Sequence, residues 1–302
     1  MSSILTNPSS LTALQSLRAT QAALNVMQKQ ISTGLKISSA QDNASTWSIA
    51  ETMKSDNGAL STISDSLNVA GSTLNVAAAA VNSAISVMNS IKEAVAQAQT
   101  PGADLNKIGA SLTQLGQQLQ SIVSSATITG INLLNGSTTT TVAGGATGVN
   151  FAASYTDNAG GAASVIGFIS LATTDLTTAG GAGILEQAQA NGAGGPTNFT
   201  NLSANDIQSG VVADTLSNAD DVIARLTDYA SQIGAVQARV ASQATFIQTL
   251  SDALTTGVSS LVDADMNQAS TRLQALQTQQ QLGVQAISIA NQDTQLIMKL
   301  FQ

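Results

Sequence analysis

Apolar residues recur along much of the chain in steps of three and four, the spacing of one face of an α-helix. The longest run is Leu60, Ile63, Leu67, Ala70, Leu74, Ala77, Val81, Ala84, Met88, Ile91 and Val95. This unbroken seam predicts one helix over about residues 60–99 that packs against a partner helix. The helix should end near Thr100, because Pro101 cannot continue the hydrogen-bond ladder and Gly102 permits a turn.

Two further long helices are predicted from the same pattern. One follows Asp104 and has its apolar stripe at Leu105, Ile108, Leu112, Leu115, Leu119 and Ile122. The other follows Asn218, and its stripe of Ala219, Ile223, Leu226, Ala230, Ile233, Gln237, Val240, Ala244, Ile247, Ser251, Leu254, Val258 and Leu261 is polar only at Gln237 and Ser251. The helix after Asp104 should fold back on the first one.

The two ends of the chain carry narrower stripes. The N-terminal stripe is Leu14, Leu17, Leu24, Met27 and Ile31, and the C-terminal one is Met266, Ala269, Leu273, Leu276, Ile287, Ala290, Ile297 and Phe301. Two such helices alone bury too little surface to be stable. They need partners, and further copies of the chain are the simplest ones.

The middle of the chain breaks the helical pattern. Residues 136–195 hold more than half of the 24 glycines and no Lys or Arg. Within them, Gly148–Tyr155 and Ala163–Leu171 predict a β-hairpin. We expect a small outward-facing β region in which Thr173–Gly195 tolerates replacement by a Gly/Ser linker.

These patterns predict a mainly α fold. Its expected form is a long antiparallel coiled-coil or helical-bundle rod formed by both chain ends, with a small central β-rich insertion.

Composition excludes several classes of function. With 10 basic and 18 acidic residues the net charge is −8, which disfavours nucleic acid as a partner. The absence of Cys and His removes thiolate nucleophiles, imidazole bases and nearly every zinc or copper site. Since the acids of the middle region are also isolated, we expect no enzyme activity, no catalytic residue, no cofactor and no metal.

Membrane insertion and a cleaved leader are also disfavoured. The charge-free run from Ser66 to Ile91 is long enough to span a bilayer but contains four asparagines and several serines. The first fifteen residues lack the basic region and the apolar core of a Sec signal peptide, so export would require another route.

Two signatures resemble those of the bacterial flagellins. The N-terminal one comprises Gly34, Leu35, Lys36, Ile37, Ser39, Ala40, Asp42, Ala44 and Ala50, and the C-terminal one comprises Asp263, Ala264, Asp265, Leu276, Gln279, Gln280 and Gly283. The resemblance covers about residues 2–136 and 218–302. Trp47 stands where the family usually has a small or aliphatic residue, and Asn43 stands where a second acid is common.

The resemblance implies a structural subunit that self-polymerises into the flagellar filament for swimming. Residues 1–36 and 263–302 would form the inner-tube coiled coil, 37–135 and 206–262 the rod, and 136–205 a surface-facing variable region. It further implies export in unfolded form through the flagellar secretion channel to the cell exterior. The implied partners are other flagellin subunits, an export chaperone, the cap and the hook-junction proteins.

Three alternatives compete with this interpretation, and the residues count against two of them. A hook-filament junction protein shares the terminal helices of the flagellins. A metalloprotease insert in the middle region would require an H-E-x-x-H helix, which a chain without His lacks. A cytoplasmic scaffold or lipid-binding helical protein would show charged flanking positions or Lys/Arg-rich faces, which are also missing.

The resemblance also predicts weak or absent binding to the vertebrate flagellin receptor. The equivalent patch is Ser90, Lys92, Glu93, Ala94 and Ser111. Recognised family members carry Arg and Leu at the positions of Ser90 and Ala94, and Glu near Ser111. Loss of the Arg and the Leu removes a charged multi-donor contact and apolar area from the interface.

Overall fold

The fold of the chain is mainly helical. The computed structural model describes residues 7–128, 130–135, 140–141, 147–156, 165–177, 183–186, 197–208 and 211–300. The α-helices in this part are α1 (Pro8–Thr33), α2 (Ala44–Gln97), α3 (Leu105–Ser125), α4 (Val212–Val262) and α5 (Met266–Leu300). The predicted mainly α fold is confirmed.

The strands are short and lie between α3 and α4. Strands β1 (Thr127–Ile128) and β2 (Ile131–Asn132) pair antiparallel, and β3 (Thr140–Thr141), β4 (Thr147–Thr156) and β5 (Val165–Ala172) form an antiparallel sheet in that order. The predicted hairpin is β4 and β5, whose register places Phe151 opposite Ile169. The residues between these two strands, 157–164, lie outside the described residues.

The chain divides into two compact units. The terminal unit comprises residues 1–57 and 252–302, and the central unit comprises residues 58–251. Helices α2 and α4 each contribute residues to both units.

The seam of α2 is confirmed at every predicted position, because each of the eleven apolar residues predicted for it, from Leu60 to Val95, is buried. The helix begins earlier than its seam, where the Asn43 side chain accepts a hydrogen bond from Thr46 N at 3.2 Å. By length and composition alone α2 could cross a membrane. Its apolar stripe is instead accounted for by burial inside the protein.

The stripe of α4 lies one residue away from the predicted one along part of the helix. Val222, Tyr229 and Val236 are buried where the pattern predicted Ile223, Ala230 and Gln237. The observed face buries Tyr229 rather than the smaller Ala230, and the apolar Val236 rather than the polar Gln237. It leaves Gln237 at the edge of the contact, where Nε2 donates to Asn75 Oδ1 at 3.0 Å.

The stripe of α3 also differs from the prediction. Leu112 and Leu119 are buried as expected, but Leu105, Ile108, Leu115 and Ile122 are only half-buried. The remaining buried positions of this helix are Gly109, Gly116 and Val123. The glycines lie under a crossing segment of backbone. A Cβ on Gly116 would lie 2.9 Å from the Phe199 carbonyl oxygen, and one on Gly109 would lie 2.8 Å from Ala204 N.

Part of the middle region belongs to the core of the central unit. Leu176, Leu185, Phe199 and Leu202 are almost completely buried. Leu176 N donates to the Leu134 carbonyl at 2.9 Å, and Leu185 N donates to the Leu176 carbonyl at 3.0 Å. These residues pack inward within the unit, because their backbone pairing carries the leucines into its core. The position of 136–205 on the outside of a polymer stays a prediction.

A buried tyrosine reinforces the same region. Tyr229 on α4 is almost completely buried and its hydroxyl donates to the Leu133 carbonyl at 3.0 Å. Burial raises the pKa of the phenol to about 12, so it remains a donor throughout the physiological range. The hydrogen bond joins α4 to the segment after β2.

Candidate assembly site at the paired linkers

The two ends of the chain meet in the terminal unit as an antiparallel pair of helices, α1 and α5. Asn7 Nδ2 donates to the Ala290 carbonyl at 2.9 Å, and Gln280 Nε2 donates to Gln21 Oε1 at 2.7 Å. Gly283 admits Leu17, since an added Cβ would lie 3.2 Å from Leu17 Cδ1. The pairing predicted for the ends is confirmed.

The linkers that lead into these helices pair with each other. Leu35 and Asp263 form an antiparallel β-bridge. Ala264 N donates to the Gly34 carbonyl at 2.9 Å, and Lys36 N donates to the Val262 carbonyl at 2.7 Å. The N-terminal and C-terminal signatures therefore touch through their backbones. We call the two segments in contact, residues 34–37 and 262–264, the paired linkers.

Gly34 makes this geometry possible. It ends α1 in the left-handed conformation with φ 72°, and its N–H donates to the Gln30 carbonyl at 2.8 Å. Any side chain is strained at such a φ, so glycine is the residue suited to this cap. The turn directs the next residues toward Val262.

Asp42 organises the loop between the paired linkers and α2. One carboxylate oxygen, Oδ2, accepts hydrogen bonds from the backbone N–H groups of Ser38 and Ser39 at 2.9 and 3.0 Å, and from both hydroxyls at 3.1 Å. Lys29 Nζ lies 3.9 Å away. The Ser38 N–H is the largest influence holding the pKa of Asp42 below its ordinary value.

A small apolar core closes the site from one side. Ile37, Ala50 and Val262 are buried, and the partly buried Leu35, Trp47, Val258 and Leu261 pack against them. Trp47, the unusual residue of the signature, thus contributes to this core.

Acidic side chains fix the start of α5. Asp265 Oδ1 accepts hydrogen bonds from Asn267 N at 2.9 Å and Gln268 N at 3.2 Å, which satisfies two free donors of the helix N-terminus. Asp263 accepts a hydrogen bond from the Ser259 hydroxyl. Met266, expected on the apolar stripe, is exposed at the first position of the helix.

The signature residues fall into two groups. Gly34, Leu35, Lys36, Ile37, Ser39, Asp42, Ala50, Asp263, Ala264 and Asp265 meet around the paired linkers, while Leu276, Gln279, Gln280 and Gly283 lie along α5. Ala40 and Ala44 are exposed and add nothing to the core of the site. Sequence reasoning missed the role of Val262, whose carbonyl accepts hydrogen bonds from both Lys36 and Ile37. A main-chain acceptor leaves no side-chain signal to detect.

Two open clefts flank the paired linkers. The larger, about 530 Å³, is lined by Val26, Gln30, Lys36, Ile37, Asp42, Asn43, Thr46, Ser260 and Leu261. The smaller, about 150 Å³, is lined by Met27, Gln30, Lys36, Ala264, Asp265, Gln268, Ala269 and Arg272. Within the described residues no group of three acidic side chains is arranged to hold a metal ion.

The receptor-patch equivalents lie in the central unit. Ser90 and Glu93 on α2 are exposed, as is Ser111 on α3, whereas Lys92 and Ala94 are half-buried. Lys92 forms an ion pair with Asp220 of α4. Its ammonium group is therefore already engaged within the chain.

Comparison with known proteins gives the same family at both ends. The profile of the "Bacterial flagellin N-terminal helical region" matches residues 4–139, and that of the "Bacterial flagellin C-terminal helical region" matches residues 216–301. The chain is 38% identical to "Flagellin C" of Rhizobium meliloti and 39% identical to "Flagellin" of Brucella melitensis, in each case over all of both chains. It is 33% identical to "Flagellin FljM" of Caulobacter vibrioides over all of this chain and 99% of that protein. The chain belongs to the bacterial flagellin family.

Proposed function

We propose that this chain is the structural subunit of a bacterial flagellar filament, exported unfolded through the flagellar channel and polymerised outside the cell for swimming. The paired α1 and α5 helices carry the proposal. Several large apolar side chains of these two helices are exposed, namely Leu11, Val26, Met266, Leu282, Val284 and Ile289. A surface of this kind gains free energy when other subunits cover it.

The terminal unit buries few large side chains of its own. Leu24 and Met27 of α1 and Ala269 of α5 are buried, while the remaining described apolar positions of the two helices are half-buried or exposed. Such a pair is weakly stable in isolation, which suits a chain that must pass through a narrow channel unfolded and order itself on arrival. An export chaperone, a cap and hook-junction proteins are the further partners we propose.

The test is deletion of Asp265–Gln302, which removes α5 and the cap of its first turn. We expect the central unit to keep its melting temperature and the truncated protein to form no filaments. Salt-induced assembly followed by electron microscopy measures the second outcome, with the full chain as the positive control. Filaments of normal length from the truncated protein would contradict the proposal.

We also propose that the vertebrate flagellin receptor recognises this subunit weakly or not at all. Ser90 offers one hydroxyl, which already donates to the Ser86 carbonyl at 3.2 Å, and Lys92 is held by Asp220. Ala94 presents a methyl group where recognised flagellins have a larger side chain. Interfaces depend on a few such anchors, so two losses together reduce affinity by about a hundredfold or more.

A reporter-cell assay with monomeric protein measures receptor activation. We expect a weak signal from the natural chain and a clear gain from Ser90→Arg combined with Ala94→Leu. Ser83→Arg, an exposed serine two turns earlier on α2, is the matched control and should give no gain. A natural chain as active as a patch-bearing flagellin would refute the proposal.

A further inference from the structure

The charge of the chain is concentrated in one of its two units. The central unit has four basic and eleven acidic residues, a net charge of −7, whereas the terminal unit has six basic and seven acidic residues, a net charge of −1. Copies that approach through their central units therefore repel each other. An ion pair that joins copies needs cations that no carboxylate of the same chain has already neutralised.

Five cations of the described chain are already paired. Lys29, Lys54, Lys92, Lys107 and Arg225 each have a carboxylate within 4.0 Å. Four further cations, Arg18, Lys36, Arg239 and Arg272, are exposed in the described part of the chain and have no such partner. Lys36 and Arg272 come from opposite ends of the sequence, and of these four cations they are the two that line the 150 Å³ cleft beside the paired linkers.

The backbone holds both cations in place. The backbone of Lys36 is held by two hydrogen bonds. Its N–H donates to the Val262 carbonyl, and its carbonyl accepts from the Gln30 side-chain amide at 3.3 Å. Arg272 lies on α5 in the second turn after the cap at Asp265. A side chain on an ordered backbone loses less entropy when it binds a partner.

The one carboxylate that lines this cleft is already engaged. Oδ1 of Asp265 accepts two backbone N–H groups of α5. The remaining wall consists of the amides Gln30 and Gln268 and the apolar Met27, Ala264 and Ala269. With two cations against one carboxylate, the cleft keeps a net positive charge.

We propose that the cleft formed by Lys36 and Arg272 binds a carboxylate from the acidic central unit of a second copy of this chain. The inference rests on the proposed polymerisation and names one contact that it uses. Lysine supplies a point charge and arginine a planar pair of donors, which together suit one carboxylate. The exposed acids with no partner in the described structure are Asp65, Glu93 and Asp228.

The experiment measures the critical concentration for assembly of the full chain. We expect Lys36→Gln combined with Arg272→Gln to raise it about tenfold or more, while Lys36→Arg alone leaves it near the natural value. The difference from the natural chain should narrow in 1 M salt, where charge interactions are screened. The melting temperature of the monomer's central unit should not change.

Lys54→Gln is the matched control, because Lys54 is an exposed cation of the same unit that already pairs with Glu51 at 3.8 Å. Its critical concentration should stay near the natural value. Normal assembly of the double variant would overturn the inference while leaving filament formation intact. Failure of the natural chain to polymerise would instead refute the proposed function.

Charge reversal identifies the carboxylate. Lys36→Glu should impair assembly, and combining it in one chain with Asp65→Lys, Glu93→Lys or Asp228→Lys should restore assembly in one of the three cases. Restoration by one supports the inference and names the contact. Restoration by none, with all monomers folded, would overturn it.

Discussion

At the scale of single residues, Leu74 tests the seam of α2. Its side chain is completely buried in the middle of the central unit. Leu74→Ala should cost about 2 to 5 kcal/mol because it removes apolar contacts and leaves a cavity. Thermal unfolding of the monomer measures the loss, and Val69→Ala on the exposed side of the same helix should cost under about 0.5 kcal/mol. Equal shifts for the two variants would mean that the seam does not support the unit.

Asp42 predicts a pH dependence of the paired linkers. Its pKa is lowered in the folded chain, chiefly by the Ser38 N–H, so its carboxylate contributes stability above the ordinary pKa of 3.8. That contribution is lost as the pH falls through the lowered value. We expect Asp42→Asn to have a lower melting temperature than the natural chain at pH 7. The difference in melting temperature should close below pH 3.8.

Assembled filaments are the sample for this measurement, because we propose that the ends of the chain become stably ordered in the polymer. Asp56→Asn, in the same unit, is the control and should show no comparable gap at pH 7. A gap for Asp42→Asn that persists unchanged in acid would mean that the amide disrupts packing rather than removes a charge.

At the scale of elements, the segment after β5 should contribute to the stability of the central unit. The sequence pattern alone had predicted that this segment tolerates replacement by a Gly/Ser linker. Leu176 and Leu185 are both fully buried. Replacing Thr173–Glu186 with a Gly/Ser linker of equal length should therefore lower the melting temperature of the central unit, since each leucine contributes about 2 to 5 kcal/mol. Val165→Thr, at an exposed position of β5, is the control. An unchanged melting temperature for the linker variant would contradict this packing.

Sequence predicted some elements better than others, for a physical reason. The α2 seam was predicted at every position because a long helix contact repeats with the helix itself. On α3 the buried face was misjudged, because Gly109 and Gly116 are buried by a crossing backbone rather than by their own hydrophobicity. On α4 neighbouring residues are also apolar, so the pattern admits two faces one residue apart.

Many residues of the candidate site could be named from the sequence, but the contacts between them could not. The family resemblance supplied both signatures, but the contact between Gly34 and Ala264 is a backbone hydrogen bond between distant parts of the sequence. The burial of Leu176 likewise depends on pairing with Leu134. Local patterns carry no information about such partners.

At the scale of the whole molecule, the two units differ in what holds them together. In the central unit α2, α3, α4 and the segment at 197–208 all contribute buried apolar residues. The terminal unit depends on a short core around Val262 and on helices that leave much of their apolar surface uncovered. This difference favours an order of events in which the central unit folds alone and the ends become stable only in the polymer.

Trp47 gives this order of events an optical signal. It is the one tryptophan of the chain, and it lies against the small core that the paired linkers close. Indole fluorescence moves to shorter wavelengths when the ring leaves water, so emission follows the ordering of the ends without any attached dye. A stopped-flow recording during assembly would thus time the closure of the linkers separately from the growth of the polymer seen by light scattering.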